Sequence, residues 1–190
     1  MLVLGVAGSP RRNGNTEILL DEALAGARDA GAEVEKVVLS TLSFSPCISC
    51  GACAKTGICA LKDDMQDVYE KITAADALIF ASPNYFYHLS AWAKATIDRS
   101  QALWARKHIL KDPRFNQNKK GFFIGVAATK GARLFKGSIW TMQYFFDAAG
   151  YKSTGQLLVR AVDGKGEIRK EPKYLKAANK LGHEAATQSE

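Results

Sequence analysis

The sequence is short of cysteine, of proline and of long apolar runs, and each shortage removes a class of protein. Cysteine occurs four times in 190 residues, too few to staple a secreted scaffold of this length. No stretch approaches the ~18 consecutive apolar residues that a membrane-crossing helix needs. The first apolar run, Leu2–Ala7, stands ahead of Arg11 and Arg12, the reverse of the order in a secretion or twin-arginine signal. Repeats, low-complexity tracts and linkers are missing too. With 47% hydrophobic and 24% charged residues, the composition is that of an ordinary globular chain. The expectation is one soluble, cytoplasmic domain over residues 1–190, with no membrane association and its thiols kept reduced.

What is present alternates. Leu2–Ala7 reads as a buried strand ended by Gly-Ser-Pro. Leu20, Leu24 and Ala27 then share one face of a helix over Thr16–Ala30, with Gly31 as its stop. Val34–Leu39 alternates as a strand. The stretch from Thr41 to Lys62 has no period and holds every cysteine. Asp63 and Asp64 are placed to cap a helix through Val68 and Ile72, and Ala77–Ala81 is a further strand. Leu89, Ala93, Ile97, Ser100 and Trp104 make one helical stripe, and Lys111–Lys120 reads as a long surface loop. Gly121–Ala128 and Leu157–Val162 complete the strands; stripes through Met142 and Phe146 and through Ala178 and Leu181 complete the helices. Five β–α pairs with apolar strands predict a parallel sheet covered by helices on both faces, wound right-handedly.

In such a sheet, ligands bind beyond the carboxyl ends of the strands. Three of those ends carry unusual residues. Gly8-Ser9-Pro10-Arg11-Arg12-Asn13-Gly14-Asn15-Thr16 brings hydroxyls, amides and guanidinium groups to a helix N-terminus, where unpaired N–H groups and the helix dipole favour an anion such as phosphate. It lacks the Gly-Lys-Ser/Thr of a Walker loop and the G-x-G-x-x-G of a dinucleotide site. The plainer alternative is helix capping by Asn15 or Thr16. Ser82-Pro83-Asn84-Tyr85-Phe86-Tyr87 is a stiff aromatic turn able to lie against a flat ring, or an ordinary turn with its aromatics in the core. Thr129-Lys130-Gly131-Ala132 is a weaker third signal.

The string GSPRRNGNT, followed by SPNYF, resembles the flavodoxin-like NADPH-dependent FMN reductase family from the first strand to about Arg99. The resemblance implies a three-layer α/β fold with a five-stranded parallel sheet in the order 2-1-3-4-5 and FMN at the switch point. It implies that Ser9, Arg11, Asn13, Asn15 and Thr16 hold the FMN phosphate. Pro83, Asn84, Tyr85 and Phe86 would border the isoalloxazine ring, with Thr129, Lys130 and Gly131 closing its other side. The chemistry would lie on the flavin, so no side chain is named as a general acid or base.

Cys47, Cys50, Cys53 and Cys59 form C-x2-C-x2-C-x5-C within the loop 41–62. Thiolates three residues apart converge from one loop onto an iron–sulfur cube; bacterial ferredoxins use a related run. Gly57 allows the positive-φ turn that would return Cys59 to the same cluster. Zinc usually takes two knuckles with a longer separation, disulfides do not suit the cytosol, and inert buried thiols remain a third alternative. The spacing resembles the compact motif of the iron–sulfur flavoproteins, which implies one 4Fe-4S cluster.

The formal net charge is +7. Eleven basic residues lie between Lys94 and Lys136 against only Asp98 and Asp112, a field able to steer an acidic or phosphorylated partner. Charge alone would suit nucleic acid, but no binding motif accompanies it, and none is expected as a partner. The function expected is electron transfer between a donor, ferredoxin-like or NAD(P)H, and a small acceptor. The alternatives are an NAD(P)H-dependent FMN or quinone reductase without a cluster, and a non-enzymatic flavin electron carrier. The family resemblance implies a homodimer or homotetramer, with the helix after Tyr87 as a candidate contact and Trp92 facing the partner.

Overall fold

The structure, a computed structural model, describes residues 1–115 and 119–187. The middle of the loop expected at Lys111–Lys120 lies outside the described residues. Strand β1 (Leu2–Ala7) leads through the polar loop into α1 (Asn15–Asp29), then β2 (Glu33–Val38). After the cysteine segment, which holds only the single-turn helix α2 (Ala52–Thr56), come α3 (Met65–Ala74) and β3 (Ala77–Tyr85). A two-residue strand β4 (His88–Leu89) folds back on β3, followed by α4 (Ala91–Arg99) and α5 (Gln101–Trp104). The chain then runs through β5 (Lys119–Val126), α6 (Lys136–Ala148), β6 (Tyr151–Val159) and α7 (Pro172–Ala186).

The main strands lie in the order β2-β1-β3-β5-β6, all parallel, with β4 pairing antiparallel to β3 off this path. Setting β4 aside, this is the expected 2-1-3-4-5 order. Successive strand residues point to opposite faces, which divides the core. Leu4, Val6, Leu78, Phe80 and Phe123 pack with α3, α4, α5 and α6. Val3, Ala77, Ile79, Phe122 and Ile124 pack with α1 and α7. On that second face α1 and α7 touch backbone to backbone. A Cβ on Gly26 would fall 2.1 Å from the Asn179 carbonyl oxygen, and one on Gly182 would fall 1.7 Å from that of Ala23.

Three elements differ from the sequence expectation. The last strand is Tyr151–Val159, not Leu157–Val162. Its first half is largely exposed and polar, as an edge strand can be, and Thr154 bulges out opposite Gly121 and Phe122. The stripe from Leu89 to Trp104 is not one helix. Leu89 belongs to β4, Ser90 caps α4 by accepting from Ala93 N–H at 3.2 Å, and Ser100 interrupts before α5 and the π-turn Ala105–Ile109. Asp64 precedes α3 without capping it, and accepts from Ser43 N–H instead at 2.7 Å.

Candidate functional site

The polar loop turns away from β1 at Gly8, whose N–H donates to the Ala81 carbonyl of β3 at 2.7 Å. The Ser90 hydroxyl donates to the Gly8 carbonyl, and Ser90 N–H donates to the Ser82 hydroxyl at 3.1 Å. The end of β3, the start of α4 and the start of the loop are thus one hydrogen-bonded unit. No side chain caps α1 at Gly14, so the helix N-terminus is open to a ligand. Ser9 accepts from Arg11 N–H at 3.2 Å, and Asn13 takes a positive φ of 54°.

Together Ser9, Arg11, Gly14, Asn15 and Thr16 line one side of a cavity of about 280 Å³, faced by Pro83, Asn84 and Tyr85. Val126 at the end of β5 and Ala128 just beyond it close the cavity, with Val162 and Asp163 from the loop after β6. The expected phosphate loop and aromatic turn therefore meet. Four expectations need adjustment. Asn13 does not line the cavity, and its backbone N–H is spent on Glu17. The Asn15 side chain is engaged elsewhere, donating to the Gly164 carbonyl at 2.9 Å and accepting from Ile168 N–H at 3.1 Å. Its backbone and one remaining amide N–H are left for an anion. Phe86 is fully exposed at the tip of the β3–β4 hairpin and lines a neighbouring open hollow instead. Thr129, Lys130 and Gly131 do not line the cavity. Gly131 stands beside Tyr87, and the Thr129 carbonyl accepts from Ala161 N–H at 3.2 Å.

Glu17 is a feature of this loop that its sequence position hid, because an acid in the first helical turn usually serves the dipole. It is 2% exposed and accepts from Asn13 N–H at 2.6 Å, from Arg12 at 3.0 Å and from Lys36 at 3.2 Å. Burial pushes its carboxyl up, but Arg12, Asn13 N–H and Lys36 together hold it below the usual carboxylate range. A depressed value means that its contribution is complete above the ordinary carboxylate pKa and is lost as pH falls through it. Glu17→Gln should therefore cost about 1–3 kcal/mol at neutral pH. Its melting temperature should fall less steeply than that of the wild type between about pH 5 and pH 3. Parallel slopes in a calorimetric pH series would refute this.

The cysteine segment follows β2 and packs against the end of α4, α5 and the π-turn Ala105–Ile109. Cys47 and Cys50 are exposed, Cys53 and Cys59 half-buried, and all four are free thiols. They line one cavity of about 460 Å³ with Asp98, Arg99, Gln101 and Ala102. Gly57 does take the expected positive φ, 71°, as does Gly51 at 73°, and Arg106 donates to the Gly57 carbonyl at 2.7 Å. Burial raises the Cys53 thiol, and the neighbouring charges of Cys59, Cys47 and Cys50 raise it further. Among the described residues no three His, Cys, Asp or Glu side chains gather as they would about a single metal ion. A cube of four irons spreads its thiolates over separate irons. Four soft ligands around one cavity fit such a group.

Part of the basic stretch is paired or lies away from these sites. Lys94 pairs with Asp98 at 2.7 Å, Lys107 with Asp147 at 2.7 Å and Arg114 with Asp112 at 2.6 Å. Arg99 is buried. Lys119 and Lys120 lie at the amino end of β5, about 23 Å of strand away from the cavity end at Val126.

The architecture is flavodoxin-like. It superimposes on an NAD(P)H:quinone oxidoreductase from Methanothermobacter marburgensis with a TM-score of 0.76 at 20% identity, covering 100% of this chain and 98% of that one. The model of the NADPH-dependent FMN reductase family matches residues 1–136, and the chain belongs to that family. It is 37% identical over 130 residues to an iron–sulfur flavoprotein of Methanosarcina thermophila, covering 68% of this chain and 65% of that one. To an iron–sulfur flavoprotein of Methanocaldococcus jannaschii it is 41% identical over 130 residues, covering 68% and 64%. The alignments thus span slightly under two thirds of those relatives.

Proposed function

We propose that the protein is an FMN-dependent oxidoreductase that holds one 4Fe-4S cluster on Cys47, Cys50, Cys53 and Cys59. It would pass electrons between a donor, ferredoxin-like or NAD(P)H, and a small acceptor. One observation carries this reading: two cavities that share no lining residue, one between the first polar loop and the end of β3, suited to a phosphate beside a flat ring, and the other lined by four thiols. Bound FMN supplies exchange of one or two electrons, and a bound cluster exchange of one.

The chain's own residues bind and orient. Arg11, Ser9, Thr16 and the open N-terminus of α1 hold the phosphate, and Pro83–Tyr85 present their backbone to the ring edge. Gly131 lies against the Tyr87 hydroxyl, outside the phosphate cavity, so Thr129, Lys130 and Gly131 would border the ring from further out. The four thiolates hold the cluster. The relatives named as iron–sulfur flavoproteins and the family match support this assignment.

The assembly we infer is a homodimer or homotetramer. Trp92 packs edge-on against Phe44 at 5.6 Å within the chain, so exposed Trp140 and Tyr144 on α6 are better contact candidates. The visible spectrum of anaerobically purified protein tests the main reading. Flavin bands with a broad cluster shoulder are expected. Flavin bands alone would leave an NAD(P)H-dependent FMN or quinone reductase without a cluster, and neither feature would refute the flavoprotein reading.

A further inference from the structure

The largest fully buried side chain among the described residues is Arg99. Its guanidinium has five N–H donors, and four are accounted for. Nη1 donates to the Ser45 carbonyl and to Asp63 Oδ2, both at 2.7 Å. Nη2 donates to Asp63 Oδ1 at 2.8 Å and, at 3.5 Å, to the Leu61 carbonyl. Ser45 lies two residues before Cys47 and Leu61 two after Cys59, so one planar fork ties the entrance of the cysteine segment to its exit. Ser45 N–H reinforces the tie by donating to Asp63 at 3.3 Å. The fifth donor, Nε–H, is buried and has no partner.

A buried donor left unpaired costs about 1–3 kcal/mol, and such exceptions in folded proteins ask for an explanation. Arg99 lines the same cavity as the four cysteines.

We infer that Arg99 is the positioning residue of the cysteine site. Its fork closes the segment so that the four thiolates face one cavity, and its spare Nε–H donates to a sulfur of the group they hold. The inference rests on the cluster reading. Reduction adds negative charge to an already anionic cluster, so a buried cation and an N–H···S bond stabilise the reduced form more than the oxidised one. Both raise the reduction potential. Asp63 partly offsets that charge, and its carboxyl is held below the usual range chiefly by the Arg99 guanidinium.

The two partners therefore act with opposite sign. In reconstituted holoprotein, Arg99→Lys keeps the charge but cannot bridge three acceptors and still supply Nε–H. It should retain FMN, release iron to a chelator about 10–100-fold faster and show a more negative cluster potential. Asp63→Asn leaves the guanidinium less neutralised and should move the potential the other way. Equilibrium titration followed by paramagnetic resonance reads both, and a merely structural tie would not give opposite signs. Wild-type potential and iron-release rate in both variants would overturn the inference alone. Should Arg99→Lys fail to fold, judged by lost flavin, the sign of the shift in Asp63→Asn decides. If the wild-type chain takes up no iron and sulfide, the cluster reading itself fails.

Discussion

The double variant Arg11→Ala, Thr16→Val should release FMN, with affinity reduced by about 10²–10⁴-fold. Both residues line the cavity at the uncapped start of α1, and each loss removes a charge-assisted hydrogen bond worth about 1.5–3 kcal/mol. Together that is about 3–6 kcal/mol, which sets the range. Arg11 is free to make the contact because, among the described residues, its guanidinium makes a single donation, to the Asp163 carbonyl at 3.1 Å. Arg12 is not, since its guanidinium is turned onto Glu17. Fluorescence titration of the apoprotein with FMN is the measurement. Wild-type affinity in the double variant would move the phosphate elsewhere.

Replacing Cys53 by Ala should remove the cluster and leave the flavin. Iron and acid-labile sulfide should fall from about four of each per chain, the content of that cluster type, to less than about one, while FMN content is unchanged. The two cavities share no residue, so loss at one need not disturb the other. Cys53 is the sharpest choice because it sits on the short helix α2 between the two positive-φ glycines, half-buried among the other thiols. Full iron and sulfide in this variant would strike Cys53 from the ligand set.

The apolar strands were legible because a parallel strand buried on both faces has nothing to alternate with. β6 was legible only where it turns apolar, at Leu157–Val159. Its earlier half, Lys152–Thr154, carries exposed polar residues that read as loop. The helices after β4 were misread for another reason. The buried face of α4 runs through Ala93, Thr96 and Arg99, a stripe with one apolar member. An arginine enters a core only when its partners are brought to it, and Asp63 lies 36 residues away. The loop 8–16 announced itself by composition, and so did the cysteines. The engagement of Asn15 with the loop after β6 could not, because it joins residues about 150 apart.

The backbone contact between α1 and α7 has a consequence for how the chain comes off the ribosome. The surface that Gly26 and Ala23 present is shaped for Gly182 and Asn179, which are synthesised about 150 residues later. Until then the face of the sheet under Val3, Ile79 and Ile124 has α1 but not α7 to cover it. A nascent chain is therefore expected to expose a sticky apolar strip until its last helix has been made, the condition in which unfinished domains associate or recruit holding chaperones. The final docking is also long-range, which slows folding. A bulky residue at Gly182 would turn this brief exposure into a lasting one, and its first sign would be insoluble protein rather than altered chemistry.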